Sequence, residues 1–327
     1  MTTTLDLDGL QELLWGFASH RVITVAARAG VLSSLAEHET TVEELATELG
    51  LAPHPLGKVV RALTALGIVE PVGDRYRMVD TLAPHFRRGP EEVTPFLEHS
   101  HDLYDRWGEN LEPWLRGQEW TVRRRDPAGM RRFGAAMRAM GSELARRLAA
   151  ELELDGVERM LDVGGGFGHY ALALCRARPG LRATVLDTPE VVELATAEGA
   201  AAECADRIEF VGGDYHTSDF GQGYDLVLIA SVLHQEAADG AAALVCRSAV
   251  ALAPGGRLVV LDFSIDDARQ GSLMGALFAI NMRSFGDTHT EPAIRGWMEA
   301  AGLERVERRP FGRFRWLIIG HRPAART

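Results

Sequence analysis

Hydrophobic and polar residues recur at helical spacing over the first third of the chain. Residues 10–29 form an amphipathic pattern, and apolar positions recur in the same way along LGKVVRALTALG. Between these segments, TVEE at 41–44 has the spacing of a capping box and predicts a short helix that ends at Gly50. The following segment, IVEPVGDRYRMV, is typical of a small hairpin that turns at Gly73 and Asp74. This order of helices and hairpin predicts a winged-helix fold.

The pattern changes in the second half of the chain. Residues 91–152 are expected to be helical with interspersed turns, and from residue 159 short β-like runs alternate with helical segments. These runs are RMLDV, RATVLD, RIEFVGGD, YDLVLIA and RLVVLDF. Such alternation predicts an α/β domain with a parallel, doubly wound sheet. Two final runs flank Phe311 and Gly312 and predict a terminal hairpin.

These patterns divide the chain into three predicted segments. Residues 1–95 form the winged-helix domain, 96–152 a helical connector, and 153–327 a Rossmann-like α/β domain.

The composition of the chain argues against several classes of protein. The chain has 327 residues and a formal net charge of −11, whereas a protein that binds nucleic acid phosphates is usually basic. It has no apolar run long enough to cross a bilayer, and its start lacks the pattern of a signal peptide. The three cysteines are widely separated and lack metal-ligand spacing. We therefore expect a cytoplasmic protein that binds neither nucleic acid nor membrane and holds no metal.

The most informative segment is LDVGGGFGHY at residues 161–170, where a predicted strand turns into a helix. A dinucleotide fingerprint that starts at Gly164 would need a glycine at position 169, which is His169. The pattern present is instead G-x-G-x-G at Gly164, Gly166 and Gly168. It indicates a tight turn whose backbone a ligand can approach closely.

Three carboxylates close successive β-like runs around this loop. They are Asp162, Asp187 and Asp214, and Tyr215 follows the third. A carboxylate after the second strand can accept both ribose hydroxyls of an adenosine, and one after the third can accept from an adenine amino group. Acidic side chains beside a loop without lysine suit a cationic adenosyl ligand and would repel a polyphosphate.

With these residues, the chain resembles the S-adenosylmethionine (SAM)-dependent small-molecule O-methyltransferases of plant caffeic acid and bacterial polyketide metabolism. The similar segments are LDVGGGFGHY, VLDTPEVVE, GGDYH, YDLVLIASVLH, ALAPGGRLVVLD and WMEAAGL. The resemblance covers nearly the whole chain. It implies SAM as cofactor, S-adenosylhomocysteine (SAH) as product, a small-molecule acceptor, and a homodimer formed through the N-terminal domain. It also implies that residues 96–152 contribute to the substrate pocket and that residues 153–327 form the SAM-binding catalytic domain.

The resemblance also implies roles for individual residues. Gly164 and Gly166 would contact the methionine part of the cofactor, Asp187 the ribose, and Asp214 with Tyr215 the adenine.

His234, in ASVLHQE, matches the family's catalytic base. An imidazole has a pKa near neutrality and can remove the proton of an attacking hydroxyl. The residue that orients His234 stays open, because the family's glutamate aligns near Thr288. Asp287, His289 and Glu291 are the candidates in this region.

Substrate contacts are harder to predict, because aromatic and Met side chains at helical spacing are often plain core. The candidates are His101, Phe133, Met137, Asn281 and Met282. Of these, Phe133 and Met137 lie in FGAAM, which resembles a family segment that covers the bound cofactor.

Three alternatives remain at this point. A SAM enzyme of this type could methylate carbon or nitrogen, or could have been repurposed for hydroxylation or decarboxylation. A winged helix could instead serve a transcriptional regulator, although Lys58 and Arg61 are the only cations of its predicted recognition helix. The third alternative is a protein that binds SAM without turnover.

Overall fold

The structure of the protein is a computed structural model. The chain folds into two compact units, which meet in the sequence between Met140 and Gly141. The structure describes residues 6–89, 92–120, 126–200, 202–263, 273–282 and 286–325. The division falls inside the predicted connector, of which residues 121–125 lie outside the described residues. The limits of the three predicted domains stay a prediction.

The N-terminal unit combines helices with one antiparallel hairpin. Its helices are α1 (Leu7–Arg28), α2 (Val31–Glu37), α3 (Val42–Leu49), α4 (Pro53–Ala65), α5 (Ala83–Phe86) and α6 (Thr94–Leu115). The hairpin consists of β1 (Val69–Val72) and β2 (Arg75–Met78). The predicted order of helices and hairpin is confirmed.

Local sequence explains where α3 begins and ends. The Thr41 side chain accepts a hydrogen bond from the Glu44 backbone N–H, and the Glu44 carboxylate accepts from the Thr41 N–H, so the predicted capping box is present. Gly50 ends the helix in the left-handed conformation, with φ of 65°. Behind α3, fully buried leucines such as Leu32 and Leu63 form the core of this unit.

The C-terminal unit is a seven-stranded sheet flanked by helices. Its strands are β3 (Arg159–Val163), β4 (Arg182–Asp187), β5 (Ile208–Gly212), β6 (Tyr224–Ala230), β7 (Leu252–Phe263), β8 (Glu304–Phe311) and β9 (Arg315–His321). Its helices are α8 (His169–Ala177), α9 (Pro189–Ala197), α10 (Ala238–Ala251), α11 (Leu273–Asn281) and α12 (Glu291–Ala300). Helix α7 (Pro127–Glu151) contains the division between the units.

The strand order places the predicted site at one edge of the sheet. The order is β5-β4-β3-β6-β7-β9-β8, in which β3 to β7 run parallel and β8 and β9 form the predicted terminal hairpin. After β3 the chain forms β4 and β5 on one side of β3, and it then forms β6 and β7 on the other side. In such sheets ligands bind beyond the carboxyl ends of the strands where the order switches. The glycine loop follows β3 at this point.

Both faces of the sheet are covered by apolar side chains, so the strands are buried. Leu161 and Val163 pack on one face, and Met160 packs on the other. Within the described residues, no helix is both long enough and apolar enough to span a membrane.

Candidate active site

In the loop after β3, two glycines are packed so closely against neighbouring side chains that a Cβ would clash, whereas a third glycine faces open space. A Cβ on Gly164 would lie 2.7 Å from Val232, and one on Gly165 would lie 2.7 Å from the carboxyl carbon of Asp162. A Cβ on Gly166 would meet nothing within 4 Å, but the φ of this residue is +58°, which favours glycine. The loop therefore leaves space for a ligand beside Gly166.

Asp187, at the end of β4, binds this loop directly. One of its carboxylate oxygens accepts a hydrogen bond from the Gly166 N–H at 2.8 Å, and the other accepts from the Thr188 N–H at 2.8 Å. Burial raises the pKa of Asp187, while both hydrogen bonds act in the opposite direction. Because β3 and β4 are neighbours, the second predicted carboxylate meets the glycine loop at the sheet edge.

Asp162 lies beneath the loop. Its side chain is fully buried, and neither carboxylate oxygen receives a hydrogen bond of normal geometry, but the nearby Ala171 N–H favours the charged form. Burial raises the pKa of Asp162 to about 7, and the charge of Asp187 adds to the increase. Asp162 therefore lies beneath the loop as a buried carboxyl whose ionisation is disfavoured relative to that of an exposed aspartate.

Asp214 and Tyr215 follow β5, the third strand of the parallel sheet. Asp214 is exposed and accepts a hydrogen bond from the His216 N–H at 2.8 Å. The Tyr215 hydroxyl donates to the Glu236 carboxylate at 2.6 Å, and Glu236 also lies 3.3 Å from the His216 ring. Burial and this hydrogen bond raise the pKa of Tyr215. Tyr215, one of the predicted adenine-binding residues, is thereby hydrogen-bonded to Glu236 in the segment after His234.

His234 lies on a sharp turn after β6. Ser231 adopts a positive φ of 58°, and its N–H donates to the Leu261 carbonyl at 2.8 Å. A positive φ is uncommon for residues other than glycine, and such conformations concentrate at functional sites. A short 3₁₀ turn, Leu233–Gln235, then carries His234.

The imidazole of His234 is held by Asp262, near the end of β7. Its Nδ1 lies 2.5 Å from Asp262 Oδ1, and its backbone N–H donates to Asp262 Oδ2 at 3.2 Å. Both side chains are buried, with 6% and 2% of their surfaces exposed. The ring of Phe278 stands edge-on to the imidazole, with centroids 4.8 Å apart. A proton on Nδ1 would be donated to the carboxylate, and Nε2 would then be the nitrogen that can accept a proton.

Asp262, which is not among the three candidates for orienting His234, is the residue that hydrogen-bonds the imidazole Nδ1 in the structure. In the segment of those candidates, Thr288 donates to the Gly275 carbonyl and Glu291 pairs with Arg295. His289 lies 3.1 Å from the backbone carbonyls of Leu233 and Glu236, so it supports the turn that carries His234 rather than the ring itself. Asp262 could have been found in RLVVLDF by the rule that identified the other strand-end carboxylates.

The two units divide the predicted substrate residues between them. His101, Phe133 and Met137 belong to the N-terminal unit, and Asn281 and Met282 follow Phe278 in the C-terminal unit. His101 lies within hydrogen-bond distance of Thr24 and Arg21 on α1. Phe133 packs edge-on against His99, with ring centroids 5.4 Å apart. The predicted roles of these five residues in substrate binding stay predictions.

The residues at this sheet edge fit a cationic adenosyl cofactor. The buried carboxyl of Asp162 and the half-buried carboxyl of Asp187 adjoin the glycine loop, and there is open space at Gly166. SAM supplies a methyl group on a positively charged sulfur, which carboxylates attract. Among the described residues, no cluster of three or more His, Cys, Asp or Glu side chains is arranged to hold a metal.

Comparison with known proteins identifies the family. Residues 107–304 match the family model of the O-methyltransferase domain. The chain is 29% identical over 315 residues to the 3-hydroxy-5-methyl-1-naphthoate 3-O-methyltransferase of Streptomyces sahachiroi, covering 91% of this chain and 89% of that protein. It is 28% identical over 325 residues to the tetracenomycin polyketide synthesis 8-O-methyl transferase of Streptomyces glaucescens, covering 95% and 96%.

A solved structure supports the fold. Human N-acetylserotonin methyltransferase in complex with SAM superposes with a TM-score of 0.86 at 23% identity, covering 99% of this chain and 100% of that chain. The family match covers more than half of the sequence, and the predicted fold is confirmed. The chain therefore belongs to the O-methyltransferase domain family and is a SAM-dependent O-methyltransferase acting on a small molecule.

Proposed function

We propose that this enzyme methylates a hydroxyl group of a small aromatic, polyketide-like acceptor, with His234 as the general base. The observation that carries the proposal is the buried pair of His234 and Asp262, joined at 2.5 Å. The acceptor class is supported by the relatives, whose names specify a naphthoate and a tetracenomycin polyketide as substrates.

The pair of His234 and Asp262 can remove the proton that an attacking hydroxyl must lose during O-methylation. A neutral hydroxyl that attacks the methyl group would become a protonated ether, so its proton must leave as the new C–O bond forms. His234 would accept this proton on Nε2, and Asp262 would stabilise the resulting imidazolium. The aromatic ring of Phe278 excludes water from one side of the imidazole.

The cofactor would lie along the sheet edge, as the resemblance implies. The space at Gly166 accommodates the methionine part beside Gly164, and Asp187 has acceptor capacity for ribose hydroxyls beyond its two backbone hydrogen bonds. Asp214 and Tyr215 would contact the adenine. In SAM the sulfonium carries the methyl group that is transferred.

Two experiments test these assignments. Isotope-labelled methyl transfer onto a panel of phenols and aromatic polyketides, with NMR of the products, should place the label on oxygen. Label on carbon or nitrogen, or no product from any phenol, would contradict the proposal. Calorimetric titration should show that Asp187→Ala binds SAM and SAH at least about tenfold more weakly than the wild type. Unchanged affinity would remove Asp187 from the cofactor site.

We further propose a homodimer formed through the N-terminal unit. Helix α1 exposes a run of large apolar side chains, which are Leu7, Leu10, Leu13, Leu14, Trp15 and Phe17. Four of them are at least 60% exposed, and contiguous apolar patches of this kind mark interaction surfaces. A second copy of the chain is the partner that the family resemblance favours. A cytoplasmic location is part of the proposal, because Cys175, Cys204 and Cys246 are free thiols.

A further inference from the structure

Asp162 is a buried carboxyl that the proposed proton transfer does not use. Its side chain is 0% exposed, and among the described residues neither oxygen receives a hydrogen bond of normal geometry, the nearest donor being the Ala171 N–H. It lies against Gly165, where a Cβ would come within 2.7 Å of its carboxyl carbon. An unpaired carboxylate in such a place is costly unless a positive charge comes near.

The charged and titratable groups that face Asp162 increase this cost. Asp187 approaches from β4, and its negative charge disfavours ionisation of Asp162. Tyr170 approaches from the first turn of α8, and the charge of Asp162 in turn disfavours ionisation of that phenol. The Ala171 N–H acts in the opposite direction, and it favours the charged form by more than the charge of Asp187 disfavours it. Asp162 therefore faces two acidic groups and one backbone donor beside a loop that is expected to hold a cation.

We propose that Asp162 discriminates SAM from SAH by its own ionisation, because the positively charged cofactor stabilises the Asp162 carboxylate and the neutral product does not. The proposal depends on SAM occupying the loop at Gly166, as set out under the proposed function.

The proton balance follows directly. When SAM binds, Asp162 in its acid form releases one proton and becomes the partner of the sulfonium charge. Methyl transfer converts the sulfonium to the uncharged thioether of SAH. Asp162 then regains a proton from solvent, and the favourable electrostatic interaction with the ligand is lost. This cycle would weaken product binding relative to cofactor binding.

The expected size follows from the pKa of Asp162, which burial raises to about 7. At pH 7 about half of the free protein carries this proton, so SAM binding should release up to about half a proton more than SAH binding. Below pH 7 the protonated form dominates and SAM must displace the proton, whereas above pH 7 the carboxylate is already present. SAM affinity relative to SAH should therefore increase about threefold or more between pH 6 and pH 8.

Calorimetry can measure the number of protons released when each ligand binds, without any methyl transfer. SAM and SAH are titrated into the wild type, Asp162→Asn and Asp206→Asn in two buffers of different ionisation enthalpy, between pH 6 and pH 8. Asp206 is an exposed carboxylate before β5 and controls for the loss of one negative charge. Titration of the ligands' own amino groups is common to all three proteins and cancels in the comparison.

We expect the excess of protons released by SAM over SAH to be equal in the wild type and in Asp206→Asn, and to be smaller in Asp162→Asn, whose amide cannot ionise. Equal proton release with SAM and SAH in the wild type would overturn the proposal, even if Asp162→Asn failed to fold. The same excess in folded Asp162→Asn would also overturn it. Absence of SAM binding to the wild type would instead refute the placement of the cofactor, and the proposal with it.

Discussion

Asp262 contacts His234 twice, through the imidazole Nδ1 at 2.5 Å and through the backbone N–H at 3.2 Å. One carboxylate therefore fixes both the position of the turn and the orientation of the ring. The Phe263 N–H also donates to Asp262, at 2.7 Å. These hydrogen bonds satisfy a carboxylate that would otherwise be buried without partners.

Replacing Asp262 by Asn should reduce kcat by about 10- to 100-fold, because a neutral amide cannot stabilise the imidazolium formed during proton removal. The affinity for SAM should stay within about twofold of the wild type. Asp225→Asn is a matched control, since Asp225 accepts backbone hydrogen bonds from Glu158 and Arg159 at the opposite edge of the sheet. Equal losses of kcat in both variants would argue against a role specific to Asp262.

Gly165→Ala should destabilise the glycine loop. The new Cβ would lie 2.7 Å from the Asp162 carboxyl carbon and 2.8 Å from Val185, and neither neighbour is the end of a long flexible side chain. We expect a loss of about 1–3 kcal/mol in the free energy of unfolding, measured by chemical denaturation. Gly180→Ala, where a Cβ meets nothing within 4 Å, should change this free energy much less. A stable Gly165→Ala protein would show that the loop can move away.

The buried Asp162 should make stability depend on pH in an unusual direction. Its pKa is raised from 3.8 to about 7 in the folded state, so folding retains a proton that the unfolded chain releases. The contribution of this group therefore falls as pH rises from about 4 to about 7, by up to about 4 kcal/mol. Thermal melts between pH 5 and pH 8 should show Asp162→Asn gaining stability relative to the wild type as pH increases. A constant difference, or a decreasing one, would contradict the raised pKa.

The exposed face of α1 should control oligomeric state. The wild type should elute as a dimer in size-exclusion chromatography with light scattering, and Leu14→Glu or Trp15→Glu should shift it to monomer, because a charge is costly to bury in an apolar interface. Val250→Glu, which changes an exposed apolar residue on α10, should leave the dimer intact. A monomeric wild type, or dimers in both α1 variants, would show that the exposed face of α1 is not a dimer interface.

The order and type of elements could be predicted from local patterns. The capping box at 41–44, the hairpin around Gly73 and the terminal hairpin all depend on neighbouring residues, and the structure contains each of them. The glycine loop and Asp187 were also found together, because both lie at the carboxyl ends of adjacent parallel strands.

Contacts between distant segments were harder to predict. Asp262 and His234 are 28 positions apart, and their proximity depends on the pairing of β6 with β7. Alignment with the family instead directed attention to residues near Thr288, which do lie beside the turn but contact its backbone. Substrate residues depend on how long helices pack, and the spacing of aromatic side chains does not determine that packing.

The most direct test of general-base O-methylation is the single-turnover rate of His234→Ala with saturating SAM and an acceptor found in the panel. Removal of the base should reduce methyl transfer by about 10²- to 10⁴-fold and leave SAM affinity within about twofold of the wild type. His54→Ala, which changes an exposed histidine of the N-terminal unit, should transfer methyl at the wild-type rate. A rate for His234→Ala within about threefold of the wild type would contradict general-base catalysis by His234 and would favour transfer by proximity alone.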